Sequence, residues 1–205
     1  MIEKFKESID KGHQFGALLT DLSKAFDCTD HKLLTAKLYS YGISLSSINL
    51  LSPYLSNRTQ RIKINDCFSL RNEIEYGVPQ GSILGPHLFN IDLIDLFFIC
   101  ENDDIASYAD DTTPYTCARD TPTVISELQS TSEKLFHWFE KNHLKANPEK
   151  CHLLLSSKSS IETKIGGVSV KSSQMETLLG VSIDSELNFE NHISNICNKV
   201  KNLTR

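Results

Sequence analysis

The chain has 205 residues, enough for one large domain or for one domain with part of a second. Apolar residues make up 40% and charged residues 23%, which excludes a disordered or collagen-like chain. With 21 Lys and Arg against 26 Asp and Glu, the net charge of −5 argues against a nucleic-acid footprint covering the whole surface. It leaves room for a site whose carboxylates are neutralised by bound cations.

The longest apolar run, Leu93 to Cys100, is broken by Asp95 and falls short of the ~18 residues a bilayer span needs. Met1 to Lys11 mixes acidic and basic residues, unlike a secretory signal. The chain therefore reads as intracellular, with nucleus and cytoplasm both open. The six cysteines form no CxxC pair and read as reduced, packed thiols. Cys28-Thr-Asp-His31 and Cys151-His152 never supply four ligands at zinc spacing.

Ile2, Phe5 and Ile9 predict a short helix closed near Gly12. Phe15 to Asp21 reads as a buried strand ending in a carboxylate. Helices are expected over His31–Tyr41, capped by Gly42, and along Leu45, Ile48, Leu51 and Leu55. Thr59–Ile64 and Leu70–Tyr76 suggest a hairpin around Asn65-Asp66. The glycine-punctuated loop Gly77–Gly85 precedes a helix from about Pro86 to Phe98.

Ile105–Ala109 and Thr112–Ala118 read as short strands with Asp110-Asp111 between them. A long helix runs from Pro122 to Asn142, followed by a strand over Cys151–Ser156. Gly166-Gly167 marks another hairpin, Leu178–Ile183 a strand, and Ile193, Ile196, Val200 and Leu203 a terminal helix. This order predicts an α+β fold, with helices backing one face of a largely antiparallel sheet.

The chemistry concentrates in three carboxylates. Asp110 and Asp111 are adjacent at a predicted turn, where they repel unless one is protonated or a cation compensates. Asp21 ends the other buried strand. If the two strands are neighbours, the three carboxylates converge and suit hard divalent cations, Mg²⁺ above all. Two such ions about 4 Å apart serve an in-line phosphoryl displacement. Nuclease, phosphatase and polymerase all remain open on that evidence.

The surrounding words narrow the choice. Asp21-Leu-Ser-Lys-Ala-Phe-Asp27, Gly77-Val-Pro-Gln-Gly-Ser-Ile-Leu-Gly-Pro86, Tyr108-Ala-Asp-Asp-Thr112, the stretch from Trp138 to Ser157, and Leu178-Leu-Gly-Val-Ser-Ile-Asp184 occur in that order. Together they resemble the palm of reverse transcriptases from non-LTR, jockey-like retrotransposons, over roughly residues 14 to 200. The resemblance implies a partial reverse transcriptase domain over 1–205, with a palm at about 14–160. A primer-grip-like hairpin and the start of a thumb would then lie at about 161–205. It also implies that the fingers are largely missing and the thumb truncated.

The implied activity is RNA-directed DNA synthesis, adding dNTPs to a primer 3′-hydroxyl on an RNA template. Two Mg²⁺ ions would serve it, with Mn²⁺ able to substitute. Asp21, Asp110 and Asp111 resemble the catalytic metal ligands, joined by the Leu22 carbonyl. Lys150 sits where the family places a lysine near the leaving pyrophosphate. Phe26 resembles the aromatic that excludes a 2′-hydroxyl, and Gln80 and Gly81 the loop packing on nucleotide and template. Leu179-Gly180 resembles the primer grip.

Thr20, His87 and Asp92 depart from the family's commoner residues and read as drift outside the metal ligands. The rival readings are a silent remnant of a mobile element and a co-opted RNA- or protein-binding module.

Overall fold

A computed structural model describes residues 1–101, 103–147, 150–157, 160–165 and 167–203. In chain order the elements begin with α1 (Ile2–Asp10), β1 (Gln14–Leu19), a single turn α2 (Ala25–Cys28), α3 (His31–Ser40) and α4 (Leu45–Leu55). Four two-residue strands follow: β2 (Thr59–Gln60), β3 (Lys63–Ile64), β4 (Cys67–Phe68) and β5 (Asn72–Glu73). Next come α5 (Leu84–Ile99), β6 (Ile105–Tyr108), β7 (Asp111–Ala118) and α6 (Thr121–Lys141). The chain continues through β8 (His152–Leu155), β9 (Glu162–Ile165), β10 (Val168–Ser173), β11 (Met175–Leu178), β12 (Val181–Asp184) and α7 (Glu190–Leu203).

These elements form two compact units. The first comprises residues 1–21, 100–136 and 146–205, and the second residues 22–99 and 137–145.

The first unit is built on a six-stranded sheet in the order β6-β7-β1-β8-β10-β9. Every neighbouring pair is antiparallel except β8 and β10. Register sets Leu18 opposite Leu153 and Gly16 opposite Leu155, so these side chains share one face. There they pack with Val124 and Leu128 of α6. The alternate residues Phe15, Ala17 and Leu154 face the other way, against Phe5 of α1, Ile183 and Leu187. Phe5 stacks on Phe15 with ring centroids 4.2 Å apart, and Tyr115 meets Phe5 edge-on at 5.6 Å. Both faces of the sheet are thus covered, one by a helix and the other by a helix plus hairpin residues.

The second unit is helical, with α3 packed on α4 and α5. Asp30 caps α3 by accepting from the amides of Lys32 and Leu33, and Ser44 caps α4 through Ser47. Lys37 is buried and lies 3.1 Å from Asp92 Oδ1 and 3.0 Å from Asp95 Oδ1. Its ammonium also stands 4.9 Å from the Trp138 ring centroid. Asp92 is held by a buried cation and is therefore a structural residue of this unit, not drift. Burial pushes its carboxyl pKa up, and Lys37 opposes that shift.

Several sequence expectations are refined. Helix α5 starts at Leu84, ahead of Pro86, because the Ser82 hydroxyl accepts from the Gly85 amide and caps the first turn. The hairpin around Asn65 is two short ladders, with Asn65 at φ +53° in the turn. Leu178–Ile183 is not one strand. Leu179 and Gly180, at φ +50° and +80°, turn the chain between β11 and β12. Gly167 follows β9 at φ +79°, while Gly166 lies outside the described residues. The reading of the cysteines as packed thiols fits Cys100 and Cys151, which are buried, but not Cys67 and Cys197, which are exposed.

Gly16 is where α6 approaches the sheet most closely. A Cβ there would stand 2.6 Å from Val124 Cγ1, 2.8 Å from Leu155 Cδ2 and 2.9 Å from Leu128 Cδ1. Gly16→Ala is expected to lower stability by about 1–3 kcal/mol through overpacking. Urea unfolding followed by circular dichroism checks this, and an unchanged midpoint would show that the helix has room to retreat.

Candidate active site

The site begins with a register. Strands β1 and β7 pair antiparallel, Gln14 opposite Ala118 and Ala17 opposite Tyr115. The pairing persists past β1 as a bridge between Thr20 and Thr112. Their backbones exchange amide-to-carbonyl hydrogen bonds at 3.1 and 3.4 Å. The Thr20 hydroxyl also donates to the Thr112 carbonyl. Both threonines are buried. One step further along this register, Asp21 falls opposite Asp111. After a hydrogen-bonded pair, the next pair is the closer, non-hydrogen-bonded kind, with Cα atoms about 4.5 Å apart in regular strands.

The turn between β6 and β7 supplies the third carboxylate. Ala109 takes a left-handed φ of +52°, so the chain reverses tightly through Ala109 and Asp110 into β7. Asp111 sits at the first position of β7. Burial raises its pKa most, followed by the charges of Asp110 and Asp21, while Lys150 pulls it down.

Lys150 is the compensating cation. Its Nζ donates to Asp21 Oδ2 at 2.6 Å. That bond and the charges of Asp21, Asp110 and Asp111 raise the lysine's own pKa. The segment carrying it is anchored by the Asn147 amide, which donates to the Asp21 carbonyl at 2.9 Å.

Asp21, Asp111 and Lys150 line a cavity of about 240 Å³ together with Thr113, His152 and Thr177. Asp110 is not among the lining residues and reaches the group only as a charge felt by Asp111 and Lys150. Among the described residues, no three of His, Cys, Asp and Glu stand as a ready-made metal cage. The donor chemistry still fits a hard divalent cation: carboxylate oxygens dominate, and burial, with the neighbouring Asp110 and Asp21 charges, pushes the Asp111 pKa up. The sequence reading weighs His152 only as a zinc ligand beside Cys151 and sets it aside. It lines the same cavity, with Nδ1 3.7 Å from Glu176 Oε1.

The remaining candidates lie in the second unit, except for the turn. Phe26 is half-buried and stacks on Phe89, centroids 4.3 Å apart. The Val78 amide donates to the Phe26 carbonyl at 2.8 Å, and the Gly77 amide to the Thr29 carbonyl at 2.7 Å. Gly77 has φ +85°, and a Cβ there would stand 2.8 Å from Asp27 Cα. Only glycine lets these two segments approach so closely. Gln80 Nε2 donates to Asp27 Oδ1 at 2.9 Å, a role for Asp27 that sequence reasoning missed. Gly81 is open, at φ +75°. The Leu22 side chain is buried. Leu179-Gly180, in the first unit, forms the exposed tip of the β11–β12 hairpin.

The family model described as reverse transcriptase (RNA-dependent DNA polymerase) matches residues 4–183. The chain belongs to the reverse transcriptase family. It is 30% identical over 200 residues to the RNA-directed DNA polymerase from mobile element jockey of Drosophila melanogaster, covering 91% of this chain and 21% of that protein. It is 27% identical to the probable RNA-directed DNA polymerase from transposon BS of the same species, covering 91% of this chain and 22% of the relative. The chain thus spans about a fifth of the length of these curated relatives.

Among solved structures, apo telomerase from Candida tropicalis, truncated from its C-terminal domain, superposes with a TM-score of 0.61 at 14% identity. That match covers 92% of this chain and 38% of the telomerase chain. It supports the α+β polymerase-palm fold of this chain. No helix among the described residues is long and apolar enough to cross a membrane.

The raised Asp111 pKa carries a pH signature. Because the folded state holds that proton more tightly than the unfolded chain, its contribution is present at acid pH and lost as pH rises through the folded value. Asp111→Asn is therefore expected to raise Tm relative to the parent at pH 7 and to leave it unchanged near pH 3. Thermal melts at the two pH values check this; a destabilised variant at pH 7 would contradict the assigned repulsion.

Proposed function

We propose that this chain carries the palm active site of an RNA-directed DNA polymerase, extending a DNA primer on an RNA template with dNTPs. The observation that carries the proposal is the register placing Asp21 opposite Asp111, beside Asp110 and Lys150, in a member of the reverse transcriptase family. On this reading about 14–160 is palm, and about 161–205 contains the primer-grip hairpin and the start of a thumb.

Asp21, Asp110, Asp111 and the Leu22 carbonyl would hold two Mg²⁺ ions, with Mn²⁺ able to substitute. The chemistry such ions supply is a lowered pKa for the attacking 3′-hydroxyl and charge neutralisation at the leaving pyrophosphate. The chain's own residues do the rest. Lys150, held protonated beside the carboxylates, offers a proton and a positive charge to the departing pyrophosphate. Phe26, stacked on Phe89, would be the aromatic that discriminates against a 2′-hydroxyl. Gln80, oriented by Asp27, and Gly81 pack on nucleotide and template. Leu179 and Gly180 grip the primer end through backbone.

Asp110→Asn keeps the shape of the side chain and removes the charge that attracts a hard cation. Mg²⁺-dependent primer extension is expected to fall to background with an unchanged melting curve. Near-parent synthesis would remove the site assignment. For Phe26→Ala, the ratio of ribonucleotide to deoxyribonucleotide incorporation is expected to rise in single-nucleotide extension. An unchanged ratio would make Phe26 an ordinary partner of Phe89.

A further inference from the structure

One segment inverts the chemistry of the chain. Between Arg58 and Arg71 lie four cationic residues against the single Asp66, in a protein of net charge −5. Every residue from Thr59 to Glu73 is exposed, so neither face of this ribbon is covered within its unit. Ile62 and Ile64 are 67% and 68% exposed. An uncovered two-stranded ribbon is marginal on its own, and exposed apolar side chains on it are a liability unless a partner uses them.

The cations are arranged around an aromatic ring. Lys63 pairs opposite Phe68, which puts both side chains on one face of the ladder. The Arg61 guanidinium lies over the same ring, 4.0 Å from its centroid, and the Lys63 ammonium is 5.4 Å away. Such a stack holds the guanidinium flat and limits its freedom before any ligand arrives.

We propose that the ribbon from Arg58 to Arg71 is a docking strip for single-stranded RNA. Arg61, Lys63 and Arg71 contact backbone phosphates, and the Arg61–Phe68 stack offers a platform to an unpaired base. The ligand class follows from charge complementarity and from the pairing of cations with an aromatic surface, the combination single strands need. The cations and the aromatic ring share one face of the ladder, which favours a single strand; Ile62, Ile64 and Cys67 fall on the other face, and a bilayer contact through them is an outcome the test separates. The proposal names the template-binding partner of the polymerase reading and rests on it.

The test uses the full chain and a fluorescein-labelled, unstructured short RNA, read by fluorescence anisotropy across a salt series. The Arg61→Ser/Lys63→Ser/Arg71→Ser variant is expected to bind at least about tenfold more weakly. Its plot of log affinity against log salt should flatten by about 2 units, since each single-strand phosphate contact contributes roughly 0.7. Arg71→Ser alone, which leaves Arg61 and Lys63 on the Phe68 ring, is expected to flatten the slope by about 0.7 with an unchanged melt. Parent-like affinity and slope in the triple variant would overturn the proposal. So would loss of binding to phosphatidylserine vesicles with RNA binding intact, which would make the ribbon a membrane contact. Asp110→Asn separates the two readings. If extension depends on Asp110 while the triple variant binds RNA like the parent, the ribbon falls and the polymerase stands. If the triple variant loses RNA and no Mg²⁺-dependent extension is seen in the parent, the ribbon stands and the polymerase falls.

Discussion

The pairing of β1 with β7 is the constraint on which the site depends. Two buried threonines close that ladder, and continuing the same register one step sets Asp21 opposite Asp111, whose charges act on each other. Like charges directly opposite destabilise a sheet. The arrangement persists because the rest of the sheet is strongly held, with apolar side chains buried on both faces. Burying each such side chain is worth about 1.5–3 kcal/mol, more than the repulsion of a partly solvated carboxylate pair. Lys150 removes part of that repulsion by binding Asp21. The same lysine thus stabilises the site without a cation and stands close enough to act in the chemistry.

Much of this was legible in sequence where the signal is local. Phe15 to Asp21 is a continuous apolar run ending in a carboxylate, and the structure gives a strand with a buried centre. Asp110-Asp111 between β-prone flanks becomes the turn and first residue of β7. The errors share a cause: they depend on residues far apart in the chain or on backbone that apolar patterning hides. Leu179 occupies a left-handed conformation that leucine seldom adopts, so its segment read as one strand. Asp92 looked like an unremarkable substitution, yet its charge is matched by Lys37, 55 residues away. His152 read only as a failed zinc ligand beside Cys151, because a single histidine on a strand carries no pattern until the cavity wall is seen.

The glycine-rich loop shows how a weak motif acquires meaning. From sequence, Gly77 to Gly85 could be any turn. In the helical unit its backbone is bonded to the Phe26–Thr29 segment through the Gly77 and Val78 amides, and the ring of His31 contacts the Gly77 carbonyl at 2.8 Å. Gly77 is fixed by two independent demands, a positive φ and contact with Asp27. The loop and the aromatic at position 26 therefore form one rigid piece. Gln80 is held by Asp27 at its edge.

Electrostatics ties these features to the proposed substrate. A polymerase palm must gather carboxylates, and a chain that does so repels nucleic acid wherever those charges are unbalanced. The net charge of −5 makes this acute. Affinity for a phosphodiester backbone then has to come from local reversals of sign and not from the surface as a whole. The described residues show two: Lys150 among the aspartates, and the cationic ribbon around Phe68. They differ in kind. Lys150 is bonded to a carboxylate, so its charge is largely spent at short range, where the proposed reading has the reacting phosphate. Arg61 and Lys63 rest on a neutral ring, which leaves their charge free to act on a backbone passing over it. The same residue class thus serves chemistry in one place and holding in the other, and what separates the two uses is the partner each cation already has.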